Sequence, residues 1–281
     1  MSSAVSQQRR AATGGGLARP PSHSVASRIY DSAWTYRLIA FAIFATVWQL
    51  YAQAADSLLI PTFTETVEGL VTLLTSPETY QAFLLSNQAL VIGFSIAVIV
   101  GIPAGLAAAR YPTIEAFFDP YLSILLVTPM AALIPILLMS LGIGIEARVL
   151  LVIVFAIPVI IVNSRAGVRQ VDASLIEMAT SYGATERQIW RKILIPGSLP
   201  AVMTGVRLGL GRGITGMVII ELLMVAVGIG NLILEFRGLF EPGLLYGVVV
   251  LVVIEALILV TLVRKLEYRL APWSRGSALS E

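Results

Sequence analysis

Four charged side chains lie in stretches otherwise apolar enough to sit inside a bilayer: Arg207, Arg212, Glu221 and Glu255. A charge in hydrocarbon is costly and faces the protein interior or a water-filled path, so such groups carry solute contacts, protons or structural ion pairs. On a helix Arg207, Gly211, Ile214, Val218 and Glu221 share one face, and Arg212 is turned away from it. Met217 and Met224 flank Glu221 at helical spacing, and Thr128, Met130 and Ser140 are further candidates for lining a pathway. Most other chemistry is excluded. There is no cysteine and a single histidine, His23, so no thiolate nucleophile, disulfide or metal site is expected, and no cofactor. Lys192 and Lys265 are followed by Ile193 and Leu266, which rules out a phosphate-binding loop, where a hydroxyl must follow the lysine. Gly211, Gly213 and Gly216 match G-x-G-x-x-G but have no preceding strand. Together with Gly205 and Gly209, and with Gly101 and Gly105 further upstream, they fit a small-residue face for close helix packing.

The elements that must position these groups follow from composition. Of 281 residues 57% are hydrophobic and 13% charged, with a mean hydropathy of +0.86, whereas a soluble domain is about one quarter charged. An all-α membrane protein with six transmembrane helices is expected, at 38–55, 85–109, 121–141, 149–164, 201–227 and 244–263, each near the length that crosses a bilayer. Basic residues cluster before span one, between spans four and five, and after span six, and Arg110 follows span two, whereas Arg148 and Arg237 are the two on the other side. Positive loops stay inside, so both termini are cytoplasmic. Residues 1–34 read as a disordered cytoplasmic tail, 35–270 as the membrane domain and 271–281 as a second cytoplasmic tail. Ala52-Gln53-Ala54 imitates a signal-peptide cleavage site, but the leader before it is longer than secretory signals are. In the acidic outer loop after span one, Val67, Leu70, Val71 and Leu74 predict a short helix capping the bundle. The net charge of +2 comes with no long basic run, so lipid is a partner and nucleic acid is not.

Residues 165–200 form a polar loop far longer than two neighbouring helices need, and loops of that length are functional. Asp172 or Ser174 caps its first helix, the latter with Glu177 at capping-box spacing. Leu175, Met178, Ala179 and Tyr182 give that helix an apolar face, and Gly183 closes it. Thr185 with Gln188 opens a second helix, with Ile189, Trp190, Ile193 and Leu194 on one side, and Pro196 is expected to stop it. A helix, a glycine corner and a second helix make either a docking device or a pad packed under the bundle.

The run Glu177-Met178-Ala179, three residues, Gly183, nine residues, then Ile193-Leu194-Ile195-Pro196 resembles the EAA motif, E-A-A-x3-G-x9-I-x-L-P, of the membrane permease subunits of ATP-binding-cassette importers. Met178 and Ile195 depart from it and remain apolar. Pro129-Met130-Ala131-Ala132-Leu133-Ile134-Pro135, Gly142-Ile143-Gly144, Gly228-Ile229-Gly230-Asn231 and Leu266-Glu267-Tyr268-Arg269-Leu270 look like the nitrate, sulfonate, taurine and bicarbonate branch.

The resemblance implies a non-catalytic, multi-pass permease subunit in the bacterial plasma (inner) membrane. Two copies would form the pore, a cytoplasmic ATP-binding subunit in two copies would supply the energy, and an extracytoplasmic solute-binding protein would deliver a small anion such as nitrate, sulfonate or taurine. Glu177, Ala179, Gly183, Ala184, Ile189, Trp190, Ile193 and Pro196 would then be the ATPase-coupling residues, and Glu221 a pathway residue. The competing reading is a proton-coupled secondary transporter using Glu221 and Glu255.

Overall fold

A computed structural model describes residues 33–55, 57–223 and 227–272. His23, Met224 and most of both expected tails lie outside the described residues. All regular structure among the described residues is helical. The described residues fall into two compact units, divided between Tyr51 and Ala52. The first contributes most of α1 (Ala33–Ala55), an apolar helix long enough to cross a membrane.

The second unit holds α2 (Phe63–Thr75), α3 (Pro77–Arg110), α4 (Pro112–Val127), a 3-10 turn (Met130–Leu133), α5 (Ile134–Leu141) and α6 (Ile145–Arg169). It continues with α7 (Ala173–Ser181), α8 (Glu186–Ile189), a π-helical turn (Trp190–Leu194), α9 (Ile195–Leu223), α10 (Gly228–Gly238) and α11 (Pro242–Leu270). Five described helices are long and apolar enough to cross a membrane: α1, α3, α6, the α8–α9 run and α11. The sixth expected span, 121–141, is bent by 98° between α4 and the 3-10 turn leading into α5. The break follows from Pro129, whose ring forces Thr128 out of the helical region to φ −66°, ψ 131°.

Lipid tails are as apolar as leucine, so membrane helices associate through close packing between small residues more than through exclusion of water. The central trio α3, α6 and α9 is built this way. A Cβ on Gly105 of α3 would lie 2.5 Å from the Ile161 carbonyl oxygen and 2.6 Å from Ser164 Cβ on α6. On α9 Gly205, Gly209 and Gly216 press against Asn163, Ile160 and Phe155 of α6. Gly211 is not part of that face, since a Cβ added there would meet nothing within 4 Å. Ala97, Ala156 and Ile160 are buried between the helices, and Leu90, Val152, Leu210, Met217 and Val248 belong to the largest apolar cluster.

The outer-loop helix is present as α2. Its N-terminus is closed by Thr62 and Glu65, each accepting from the other's backbone N–H, at 2.7 Å to Glu65 Oε2 and 3.2 Å to Thr62 Oγ1. It lies against the start of α11, where Gly69 touches the Gly243 backbone.

Pro196 does not stop the helix it is expected to end. The backbone runs from α8 through the π turn into α9, and the Ile195 N–H donates to the Trp190 carbonyl five residues back. This wider turn offsets the carbonyls that a proline ring would otherwise strike, and the proline's missing N–H falls where the α-helical ladder is already interrupted.

The contrast between two glycines is testable by thermal unfolding in detergent. Gly105→Val should cost about 1–3 kcal/mol through overpacking. Gly211→Ala should be neutral or stabilising by up to about 1 kcal/mol, the helix-propensity gain. Equal destabilisation of both variants would refute small-residue packing of α3 on α6.

Candidate functional site

Glu221 is completely buried near the end of α9. The Ser86 hydroxyl of α3 lies 2.8 and 2.7 Å from its two carboxylate oxygens. The Gly230 N–H donates to Oε2 at 3.2 Å, and Arg148 Nη1 of α6 lies 3.5 Å from Oε1. Ser86 Oγ also accepts from the Ile229 N–H at 2.9 Å, and Arg148 donates to the Leu85 carbonyl at 3.2 Å. The carboxylate thus sits at the N-terminus of α10, whose first-turn N–H groups have no partner within the helix and whose dipole favours negative charge. Both glycines of Gly228-Ile229-Gly230 are demanded by this approach. Gly228 has φ +63°, and a Cβ there would collide with Ser86 Oγ; one on Gly230 would collide with the Glu221 side chain.

The other membrane charges are ion-paired, hydrogen-bonded or exposed, and Glu255 Oε2 is buried without a hydrogen-bond partner. Arg207 Nη1 donates to Glu267 Oε2 at 2.9 Å, joining α9 to the end of α11, and Arg212 is exposed. Asn87 donates to Glu255 and, at 2.9 Å, to the Phe83 carbonyl. Met217 is fully buried in the apolar cluster. Thr128, Met130 and Ser140 lie elsewhere, on the broken segment, Thr128 and Met130 half-buried and Ser140 exposed. Both hydroxyls bond back into their own helices, Thr128 to Ile124 at 2.7 Å and Ser140 to Ile136 at 2.8 Å. The six pathway candidates therefore do not form one surface: Glu221 and Met217 are interior, three flank the bend, and Met224 is outside the described residues.

The polar loop folds as two helices about a glycine. Asp172 caps α7 by accepting from the Ser174 N–H at 2.9 Å, which holds its carboxyl below the usual carboxylate range. The cap at this helix is therefore Asp172 and not the Ser174–Glu177 pair. Gly183 has φ +76°, and the Ala184 N–H closes the corner on the Ala179 carbonyl at 2.9 Å. Gln188 Oε1 then accepts from the Thr185 N–H at 2.7 Å to open α8.

The loop has an inner and an outer surface. Ile189 is buried with Val168 and Leu194, and Leu106, Ala109, Ala179, Ala184 and Trp190 pack around them. Ile193 and Pro196 are half-buried, and Glu177 and Gly183 are exposed. On and just after α7, Leu175, Met178 and Tyr182 are left outside, the last 87% exposed.

Two residues of the buried knot escape a reading of the sequence, Ser86 and Arg148. Arg148 carries a usable signal: it and Arg237 are the only basic residues expected on the outer side, where Glu221 comes near the end of its span. Ser86 carries none, since a serine in an apolar helix is ordinary until its neighbour is known.

Residues 101–276 match the family described as binding-protein-dependent transport system inner membrane component. The chain is 28% identical to the taurine transport system permease protein TauC of Escherichia coli (strain K12) over 247 residues, 85% of this chain and 90% of that one. It is 31% identical to the putative aliphatic sulfonates transport permease protein SsuC of the same strain, covering 78% and 81% of the two chains. It is also 31% identical to the carnitine transport permease protein OpuCB of Listeria monocytogenes, covering 69% and 87%. Among solved structures, the inward-facing MetNI methionine ABC transporter shares the fold at a TM-score of 0.51 and 23% identity, over 69% of this chain and 93% of that one.

Removing one partner of a buried ion pair leaves a bare charge, so Glu221→Leu and Arg148→Met should each destabilise by about 3–5 kcal/mol, whereas the double variant Glu221→Leu/Arg148→Met should cost clearly less than the sum of the two. Thermal unfolding of the four proteins in one detergent checks this; strictly additive losses would show that the two groups do not interact.

Proposed function

We propose, from the premise that this chain belongs to the family of binding-protein-dependent transport system inner membrane components, that it forms the solute passage of an ABC importer and is driven through α7, Gly183 and α8 by separate ATPase subunits. The observation that carries this reading is the loop itself. It is a preformed bent lever, anchored inside by Ile189, Leu194 and Trp190 and presenting Leu175, Met178 and Tyr182 outward. Apolar side chains held out on a rigid corner are what a protein groove takes up.

The lever also supplies what the chain lacks, since no phosphate-binding loop is present to hydrolyse a nucleotide. Glu177, Gly183 and the residues around them then face the ATPase, while Ile189, Ile193 and Pro196 tie the lever to the span it moves. On this reading the lever and both termini are cytoplasmic, as the distribution of Arg and Lys favours, in the inner membrane of a bacterium. Two copies of the chain pair with two ATPase subunits, and an extracytoplasmic binding protein delivers solute. ATP binding and hydrolysis shift the population between two arrangements of the bundle.

The passage is best assigned to the broken segment. Thr128, Met130 and Ser140 flank its bend, and Val127 and Met139 are 83% and 90% exposed there. Glu221 and Met217 belong to the scaffold behind it. The enclosure of Glu221 by three donors weighs against proton exchange at that carboxylate and so against the secondary-transporter reading. A sulfonate such as taurine is the preferred cargo, on the strength of the relatives named for taurine and aliphatic sulfonates.

Gly183 provides the test. No atom of this chain lies within 4 Å of a Cβ built there, so within the chain a substitution acts through the left-handed backbone, which costs a β-branched residue about 1–2 kcal/mol and asparagine much less. Gly183→Val should weaken retention of the ATPase by roughly tenfold, and Gly183→Asn should keep it, in pull-downs from native membranes. Full retention and full uptake with valine would defeat the lever. In proteoliposomes with the cognate binding protein, taurine should be accumulated and carnitine should not; the reverse preference would defeat the cargo assignment.

A further inference from the structure

The corner between α3 and α4 is gripped by charge from both flanks of the lever. On one flank Arg110, the last residue of α3, donates from Nε and Nη2 to the two carboxylate oxygens of Glu186 at 2.9 and 3.1 Å. Glu186 is the first residue of α8, just beyond the glycine bend. On the other flank two arginines from the end of α6, immediately before the lever, reach the first half of α4. Arg165 donates to Glu115 at 3.1 Å and to Asp119 at 2.5 Å, and Arg169 donates to the two Glu115 oxygens at 2.6 and 2.5 Å. Beneath the charges, Leu106 and Ala109 of α3 pack with Ile189, Leu194 and Trp190.

The ion pairs matter here because α4 has little else to hold it. Leu122 is its only buried residue, whereas α3, α6 and α9 each bury a full face. Partly exposed ion pairs contribute little singly, but forked arginine contacts add directional constraint to a network. These pairs span three helices and the lever, and α4 continues from them as one helix, with Pro120 inside it, to the bend at Thr128 and Pro129.

We propose that Arg110, Glu115, Asp119, Arg165, Arg169 and Glu186 form an ion-pair clamp that makes the lever and the first half of α4 one rigid body, so that each stroke of the ATPase is delivered to the broken segment through α4. The clamp rests on the reading of α7 to α8 as the ATPase contact. It assigns these side chains a positioning role: they touch neither solute nor nucleotide, and they set how much solute moves per ATP. α9 carries the stroke into the core, and the clamp carries it to the passage.

The experiment uses the complete transporter, reconstituted with its ATPase and binding protein, and reads solute accumulated per ATP hydrolysed. Arg110→Glu, at the end of α3 and outside the ATPase contact, should lower that ratio about tenfold, in the range of ordinary coupling energies, while the ATPase still co-purifies and hydrolyses ATP; Glu186→Arg should lower it as well. The swap Arg110→Glu/Glu186→Arg should restore most of the ratio, a rescue that a purely local effect on the ATPase contact would not produce. Should the reversals express poorly, Arg110→Gln and Glu186→Gln are read in the same way. The chain contains no cysteine, so spin labels on Ala116→Cys and Lys192→Cys report the clamp directly. Their distance should stay the same with and without ATP and should broaden in Glu186→Arg. A ratio unchanged in both single variants, a swap without rescue, or a label distance that changes with ATP would overturn the clamp while leaving the lever intact. Absence of any ATPase from the unaltered chain's pull-down would instead overturn the lever reading, and the clamp with it.

Discussion

A carboxylate with no exposed surface has to be answered by donors, and answering Glu221 brings four helices to one point. Ser86 comes from α3, Arg148 from α6 and the Gly230 N–H from α10, around a side chain carried by α9. In a low-dielectric interior each of these partners is costly to lose, because the charge left behind has no water to turn to. The knot therefore sets helix register more sharply than apolar packing does. A slide of α3 or α6 that would still pack well would leave Glu221 uncompensated. It also accounts for the glycines at the start of α10, which are the only residues that let the backbone reach the carboxylate.

The opposite end of the bundle is held differently. There the contacts are a small apolar floor and a set of partly exposed ion pairs, which exchange with water more readily than a sealed knot. A bundle pinned firmly at one end and held by screened charges at the other is suited to pivot about the pinned end. On the proposed reading, the lever then works across the longest arm available to it, and the bend at Thr128 and Pro129 is where the arm's movement changes the shape of the passage. The π turn at Trp190–Leu194 serves the same end, since it lets α8 continue into α9 through Pro196 and makes the lever an extension of a membrane helix.

Much of this organisation is legible in the residues. The apolar stretches, the lever with its glycine corner and the outer-loop helix all follow from local rules of hydropathy, capping and backbone freedom, and local rules act the same way wherever the segment is placed. They fail where a distant partner or an altered hydrogen-bond pattern intervenes. Pro196 is expected to end a helix because the rule presumes an α-helical ladder, and the π turn removes that presumption. Gly211 groups with its neighbours by spacing, which does not say which face of a helix meets another. The enclosure of Glu221 is likewise out of reach of local rules, since its charge is visible in the sequence and its donors come from other helices.

Composition and pattern alone determined that this chain is a helical membrane protein with several spans and one structured polar loop, because the costs of burying charge and of ending a helix are incurred residue by residue. Tertiary structure alone decided which charges are enclosed by donors and which side chains are exposed. The pairing of Glu221 with Ser86 and Arg148, and of Arg110 with Glu186, joins residues far apart in the chain, and no local rule says whether a buried charge finds a partner or faces water. That depends on the positions of helices other than its own.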